Sequence, residues 1–394
     1  MARILVGIVG GRLQGIEAAY LCSKATFSTV LIDSGHNPPA KGLSDEFHQI
    51  DIVAKPEKAK RVLRRCDAVL PANENRTTLL ALRKLCHELQ IPFMQDNEAF
   101  WTTSNKFRSM KFFRKLRIPT PRGWPRSGFP VVVKPSSKSG SESVYRADNK
   151  NQLKRAIGFV REVDAHTIVQ EFIEGPALSL EVISRRGAGQ PLQITGLEFD
   201  EKYGCKRVFA PVKISSGLEE RMRAIGIRIA RNLELNGLVD VQALLQQSTP
   251  KVNEINARLP SQTPSVVYHS TKINMAELLV KLFLEDTLLP VEICSQRAVV
   301  YQHVKVLGKE LRVQGEHVMA DAPDLRLQRD FLGADEAITN LQLGVDATNR
   351  VATLIVQSPD LTSANEKMAK VIESIMREYH LGRYTDPSPG KGYC

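Results

Sequence analysis

The stretch Gly237–Pro264, GLVDVQALLQQSTPKVNEINARLPSQTP, leaves this chain little freedom in what it can fold into. Two apolar runs flank a polar turn at Gln246–Lys251, which reads as a β-hairpin. Side chains on a strand alternate between faces, so Glu254, Asn256 and Arg258 share one side. A turn centred near Ser248 sets Gln242 opposite Glu254, and Asp240 falls on the same face. That face then carries two carboxylates, two amides and a guanidinium, which are costly to bury without partners. It is either a solvated face with a cross-strand ion pair or a magnesium site. Magnesium takes hard oxygen ligands, few of them protein carboxylates, with substrate phosphates completing the shell. Gln242, Glu254 and Asn256 suit that preference, and Arg258 beside them would balance phosphate charge.

The rest of the composition narrows the class. At 394 residues the chain has room for roughly two to four domains. No run reaches the roughly eighteen apolar residues a membrane span needs, and ILVGIVGG near the start reads as a first strand. The net charge is +11, but the basic runs Lys55–Arg65 and Lys106–Arg117 are spaced like exposed helix faces. Nucleic-acid binding would call for a clustered stripe or interleaved aromatics, so neither nucleic acid nor membrane is expected as a partner. The six cysteines show no C-x-x-C pair or zinc spacing, which points to reduced thiols and a cytoplasmic protein.

In chain order, RILVGIV, GGRLQG, a helix to about Ala25 and STVLID form a β-turn-α-β unit with glycines at the first turn. Further alternation follows: FHQIDIV, a helix Pro56–Arg65, DAVLPANEN, a helix Thr77–Gln90 and IPFMQ. This implies a parallel sheet with right-handed crossovers. Ligands sit at the carboxyl ends of such strands, where Asp33, Asp51 and Glu74 lie. Asn105–Leu116 is a basic amphipathic helix. FPVVVKPSSKSGSESVYRA reads as strand, loop, strand, with Lys134 at the strand end and hydroxyls and free N–H groups in the loop Ser136–Ser143. ALSLEVIS and the runs around Gln190–Asp200 and Lys206–Lys213 extend an antiparallel sheet. Leu218–Leu235 is a helix, and Asn274 caps another with Glu277 as its capping-box partner. Val291–Gly382 reads as a small α+β domain ending in the helix Ser363–Tyr379, and the tail TDPSPGKGYC as disordered.

At the hairpin the sequence resembles the ATP-grasp ligases. Their signature is an acid or Gln on one strand and E-x-N-x-R or E-x-D-x-R on the next, here Gln242 and Glu254–Arg258. The longer stretch EINARLPSQTPSVVYHSTKIN, with GGRLQG and LPANEN, is similar to one branch, the ligases that join 3-methyl-D-ornithine to L-lysine in pyrrolysine biosynthesis. The likeness fades after about Pro290. It implies an ATP-grasp fold of mixed α/β and α+β class: a Rossmann-like N-terminal domain over 1–95, a central domain over 96–290 with the nucleotide, metal and substrate sites, and a small α+β domain over 291–394.

The resemblance also implies an activity, an ATP-dependent carboxylate–amine ligation through an acyl phosphate, with ATP and two magnesium ions. The catalytic set would be Lys106, Lys134 and Arg258. ATP would be held by Arg12, Asp33, Asp51, Ile52, Lys106, Lys134, Ser137, Gln170, Glu171, Phe172 and Ile173, with Glu174 a candidate for ribose. The metal set would be Gln242, Glu254 and Asn256. Methylornithine would meet Ser179, Leu180, Glu181, Asp240 and the run Pro260, Ser261, Gln262, Thr263, Pro264 and Ser265. Lysine would meet Leu13, Gln14, Glu74 and Thr263. A homodimer fits the family. The chain departs from the branch in having Arg12 for Lys, Gln242 for Glu and Asn256 for Asp. A ligase for another amino-acid pair is the nearest alternative reading. A nucleotide-binding regulatory or NAD-linked protein using the glycine turn and Asp33 is a more distant one, and it leaves the polar hairpin face unexplained.

Overall fold

The computed structural model describes residues 3–138, 140, 143–288, 290–293, 296–341 and 349–389. The first unit is a four-stranded parallel sheet. Its strands lie in the order Glu46–Gln49, Ser28–Asp33, Leu5–Val9, Ala68–Pro71, with the helices Leu13–Lys24, Pro56–Leu63 and Arg76–Leu89 as connections. IPFMQ, expected as a strand, contributes a single bridge, Val69 to Phe93. The glycine turn is forced by space. Gly10 takes a φ of 111°, and a Cβ there would meet the Ala72 carbonyl oxygen at 2.4 Å.

A three-stranded antiparallel sheet follows, with Val131–Pro135 between Tyr145–Ala147 and Thr167–Glu171. The helix Lys150–Val163 covers one face with Leu153, Ala156 and Val160. The polar hairpin belongs to a larger, 11-stranded sheet. From one edge its strands run Thr249–Asn256, Gly237–Gln246, Ala177–Arg185, Ala188–Phe199 and Cys205–Ala210. The sheet then continues without a break into the C-terminal part. Arg207 lies opposite Gln302 and Phe209 opposite Val300, after which come Ala298–Leu307, Arg350–Ser358, Glu336–Thr339 and Arg326–Arg329. The expected third domain therefore shares a sheet with the second. It also shares a core with the first, since Val318, Met319, Leu325 and Ile338 pack in one cluster with Ile8, Ile16 and Leu21.

Four of the described α-helices were not expected. Thr263–Thr271 follows the hairpin directly, Asn97–Thr103 precedes the basic helix, and Lys150–Val163 and His317–Ala320 are the others. The tail also differs from expectation. Arg383–Thr385 pairs in parallel with Glu310–Val313, and Asp386 is ion-paired to Lys206 and Arg207, so the segment through Pro389 is held in place. Residues 390–394 lie outside the description, as do 139 and 141–142 of the expected phosphate loop.

Candidate active site

Two side chains that meet on the hairpin are set there by its register. The turn residues Gln247 and Ser248 both have positive φ, 48° and 65°, the twist that closes a two-residue hairpin. Gln246 pairs with Thr249 and Ala243 with Val252. An irregularity then advances the register, so Gln242 faces Glu254 and Asp240 faces Asn256. The extra residue is Asn253. Such a bulge re-aims side chains next to a site. Here Asn253 Oδ1 accepts from Lys134 Nζ at 2.6 Å and from Gln170 Nε2 at 3.1 Å.

Lys134 lies at the end of Val131–Pro135 and is only 5% exposed. Burial, with Lys106 nearby, pulls its ammonium down to about 8, against the pull of Glu254. Lys106 is placed by the cap of its helix: Asn105 Oδ1 accepts from the N–H groups of Phe107 and Arg108, and the Lys106 N–H donates to the Ser136 carbonyl at 2.9 Å. Its Nζ sits 3.2 Å from Glu254 Oε1 and donates to the Lys138 carbonyl at 2.6 Å. Arg258 is partly buried and donates to Glu74 Oε1 at 2.9 Å, an oxygen that also accepts from Gln14 Nε2 at 2.8 Å. Glu254 is partly buried, and desolvation raises its carboxyl, but Lys106, Lys134 and Arg258 outweigh that and hold it below the ordinary value.

The metal expectation is tested by donor chemistry. Asp240 Oδ2 accepts from both Gln242 Nε2 (2.9 Å) and Asn256 Nδ2 (3.2 Å). With both amide nitrogens so occupied, their oxygens are left for other partners, and Gln242, Glu254 and Asn256 line one small cavity. One carboxylate and two amide oxygens make a hard, weakly charged donor set that fits magnesium completed by phosphates.

Two adjoining spaces border the polar face of the hairpin. A cavity of about 600 Å³ lies between the two sheets. It is lined by Lys106, Lys134, Glu171–Ala177, Leu197, Tyr203, Gln242, Leu244 and Glu254, among others. A smaller one of about 80 Å³ adjoins it, sharing Leu197, Phe199, Gln242 and Glu254 and lined further by Asp240, Arg258, Pro260–Thr263 and Glu316. It is acidic at its base. Ser179 Oγ lies 2.5 Å from Asp240 Oδ1 and 3.0 Å from Glu181 Oε1. Both acids are fully buried, and burial together with Asp240 pushes Glu181 up to about 8. Burial raises Asp240 as well, against its bonds from Ser179 and the charge of Arg258.

The structure brings half of the expected residues to line these spaces and leaves the others behind or away from them. Asp33, Asp51, Ile52 and Arg12 do not line the large cavity. The Asp33 carboxylate accepts from the N–H groups of Gly11 and Gly35, and Asp51 caps Val53 and Ala54. Ile52 is core, and Arg12 is an exposed partner of Asp321. Ser137 gives its N–H and hydroxyl to Asp164 Oδ2, both at 2.8 Å. The Glu171 carboxylate is taken by the Arg122 N–H and Nε, and the Phe172 N–H by the Pro130 carbonyl. Leu180 points into the opposite core with Met222 and Ile225. Leu13 packs against the core beside Gln14. Pro264 and Ser265 lie in a helix first turn, where the Ser265 N–H donates to buried Glu17 at 2.6 Å.

The comparisons with known proteins agree with this geometry. Residues 103–262 match the model of the ATP-grasp domain. Over 322 residues the chain is 35% identical to the 3-methyl-D-ornithine–L-lysine ligase of Methanosarcina barkeri, covering 80% of this chain and 84% of that one. The chain belongs to this branch of the ATP-grasp ligases. Among solved structures, the fold is similar to the L-amino acid ligase of Bacillus licheniformis. The TM-score is 0.68 at 16% identity, over 95% of this chain and 98% of that one. It is also similar to the biotin carboxylase domain dimer of Hydrogenobacter thermophilus 2-oxoglutarate carboxylase, solved with MgADP, ADP and bicarbonate. There the TM-score is 0.72 at 15% identity, over 95% and 90% of the two chains.

Three residues of this ATP-grasp site were missed by sequence reasoning. Asn253 falls between the signature positions and matters only because it bulges. Glu316 comes from the C-terminal part, where its Oε2 accepts from Ser261 Oγ at 3.0 Å and Gln262 Nε2 at 2.5 Å. Arg146, stacked 4.4 Å from the Phe172 ring centre, holds Glu174 at 2.9 Å. The hydrophobic patterning around these positions carries no signal for any of them.

Proposed function

We propose that this ATP-grasp chain joins the carboxylate of 3-methyl-D-ornithine to the ε-amine of L-lysine, at the expense of ATP, giving 3-methylornithyl-N6-lysine, ADP and phosphate. The observation that carries the reading is the hairpin face, with Gln242, Glu254 and Asn256 standing between a large cavity edged with lysines and a small acid-based one.

The large cavity suits the nucleotide. The Glu171 carbonyl and the Ile173 N–H would meet the adenine edge, since the Glu171 carboxylate and the Phe172 N–H are otherwise occupied. Leu197 and Leu244 would bound the ring, and Glu174 would meet ribose. Lys106 and Lys134 would bind the phosphates and offset charge as the γ-phosphoryl group moves to the carboxylate. Gln242, Glu254 and Asn256 would hold magnesium, two ions in the full reading, which when bound neutralises the phosphate oxygens. Phosphorylation makes a carboxylate into a good electrophile, and its oxygen then leaves as phosphate when the neutral lysine amine attacks.

The small cavity suits a substrate with an extra ammonium. Asp240 at its base supplies an acid, Glu181 lies buried behind it through Ser179, and the Pro260–Thr263 turn with Glu316 closes it. Glu74, Gln14 and Arg258 lie toward the first domain, where lysine would enter. The relative from Methanosarcina barkeri carries this activity in its name. A cytoplasmic homodimer completes the reading.

The test is phosphate release from ATP and magnesium with L-lysine plus 3-methyl-D-ornithine, and mass spectrometry of the product. Release that requires both amino acids, with the isopeptide found, supports the reading, and Glu254→Ala should lower it by about a thousandfold. If ATP binds but this pair does not stimulate release, the ATP-grasp core stands and the substrates are another amino-acid pair.

A further inference from the structure

The last described residues fold back onto the large cavity. Strand Arg383–Thr385 lies along Glu310–Val313, with Tyr384 opposite Leu311, and Thr385 Oγ1 donates to Glu310 Oε1. This delivers Asp386–Pro389 to Lys206, on the strand Cys205–Ala210. Lys206 Nζ donates to Asp386 Oδ1 at 2.5 Å, to the Pro387 carbonyl at 2.6 Å and to Ser388 Oγ at 3.3 Å. Its side chain is 2% exposed. Arg207 Nη2 donates to the other oxygen, Asp386 Oδ2, at 2.6 Å. Lys206, Ser388 and Pro389 line the same cavity as Lys134, Glu171 and Tyr203.

A buried ammonium must be paired and hydrogen-bonded to be tolerated. Among the described residues, the three acceptors of Lys206 all come from the tail. Burial alone would raise the Asp386 carboxyl, but Lys206 and Arg207 outweigh it and hold it below the ordinary value. So a cation on the cavity wall is fixed by a segment more than a hundred residues along the chain, whose own Ser388 and Pro389 also line that wall.

We propose that Asp386–Pro389 is a wall of the nucleotide site and that Asp386 is a positioning residue, holding Lys206 in place against bound nucleotide. The proposal rests on the reading of the large cavity as the ATP site. Without Asp386 the Lys206 side chain loses its anchoring charge and the wall its ion pairs, leaving only the bonds from Lys206 to Pro387 and Ser388, so nucleotide affinity falls. The adjoining amino-acid cavity, which neither Lys206 nor the tail lines, is unaffected.

The experiment is a calorimetric titration of MgADP into the full-length protein, the Asp386→Asn and Asp386→Glu variants, and a chain ending at Thr385. MgADP should bind about tenfold more weakly to Asp386→Asn and to the shortened chain, a loss on the scale of one hydrogen bond to a charged group. Asp386→Glu should recover most of it. In turnover the KM for ATP should rise by a similar factor, with kcat and the KM for lysine unchanged, a split that general loss of stability would not give. Asp386→Asn binding MgADP as tightly as the unmodified protein, or more tightly, overturns the proposal, because the tail is then a bystander or a competitor. That result decides the matter even if the shortened chain does not fold. If the unmodified protein itself does not bind MgADP, the nucleotide reading of the cavity falls and this proposal with it.

Discussion

Gln242 and Glu254 face each other across the hairpin because one extra residue, Asn253, stands in the second strand. The turn at Gln247–Ser248 alone would pair Gln242 with Asn253. The bulge moves Glu254 into that place and turns the Asn253 amide toward Lys134. A single irregularity thus serves both the proposed metal ligands and the buried lysine beside them.

Asn253→Ala keeps the chain length, and with it the register, but removes the acceptor of Lys134 and Gln170. A buried ammonium deprived of a bond loses its fixed position. We expect kcat/KM for ATP to fall by about ten- to a hundredfold, with Glu254 still in place. Steady-state kinetics with ATP varied, beside magnesium titrations in the presence of ADP, would separate the two roles. Equal loss of metal affinity would mean that the bulge itself had collapsed.

Glu181 gives a pH dependence. Its folded carboxyl is pushed up to about 8 from 4.5 by burial and by Asp240. The stability tied to its proton is therefore fully present below about 4.5 and is lost as pH rises through about 8. Binding of an ammonium runs the other way, since it wants the carboxylate. The KM for the diamino acid should fall as pH rises toward about 8, by up to about tenfold per pH unit. Glu181→Gln resembles the protonated side chain, so it should fold normally at neutral pH, bind this substrate poorly and lose the slope. A slope that survives in Glu181→Gln would assign the titration to another group.

What the sequence made legible follows the range of the forces involved. Alternation along a strand is local, so Glu254, Asn256 and Arg258 could be put on one face and Asp240 and Gln242 beside them. The helix caps Asn105 and Asn274 are local too. The bulge at Asn253 was not legible, because it depends on how two twisted strands settle against each other. Asp33 sits at a strand end as expected, yet its carboxylate is consumed by the glycine turn it faces. Glu316 and Asp386 reach the site from a region without motifs. They arrive through sheet pairings such as Arg207 with Gln302 that no periodicity announces.

The linker segment Glu171–Glu174, proposed to meet adenine, depends on Gly175 for space alone. A Cβ on Gly175 would meet the Leu245 carbonyl oxygen at 1.9 Å, and the Leu245 N–H donates to the Pro176 carbonyl at 2.9 Å. The linker and the first hairpin strand are therefore in backbone contact, with no flexible side chain to yield. Gly175→Ala should push Glu171–Glu174 away from the hairpin, weakening nucleotide binding by about tenfold or more and costing about 1–3 kcal/mol of stability. Denaturant unfolding with and without MgADP would measure both. Unchanged stability would show that the linker can shift without strain.

Glu316 offers the sharpest test of how the C-terminal part enters the reaction. Its Oε2 accepts from Ser261 and Gln262, residues of the turn that borders the small cavity, and burial raises its carboxyl against those bonds. Gln262 needs such a partner, because it holds a φ of 74° at the start of the helix Thr263–Thr271. Glu316→Gln retains an acceptor for the turn but removes the charge. If Glu316 acts only as a brace, this variant should be nearly silent. If its charge also meets a substrate ammonium, the KM for the diamino acid should rise by about tenfold, with the KM for ATP unmoved. Glu316→Ala removes the brace as well and should lower kcat in addition, since the turn then loses both bonds. Together the two variants separate charge recognition from support of the Pro260–Thr263 turn, and a silent Glu316→Ala would remove the C-terminal part from the amino-acid site altogether.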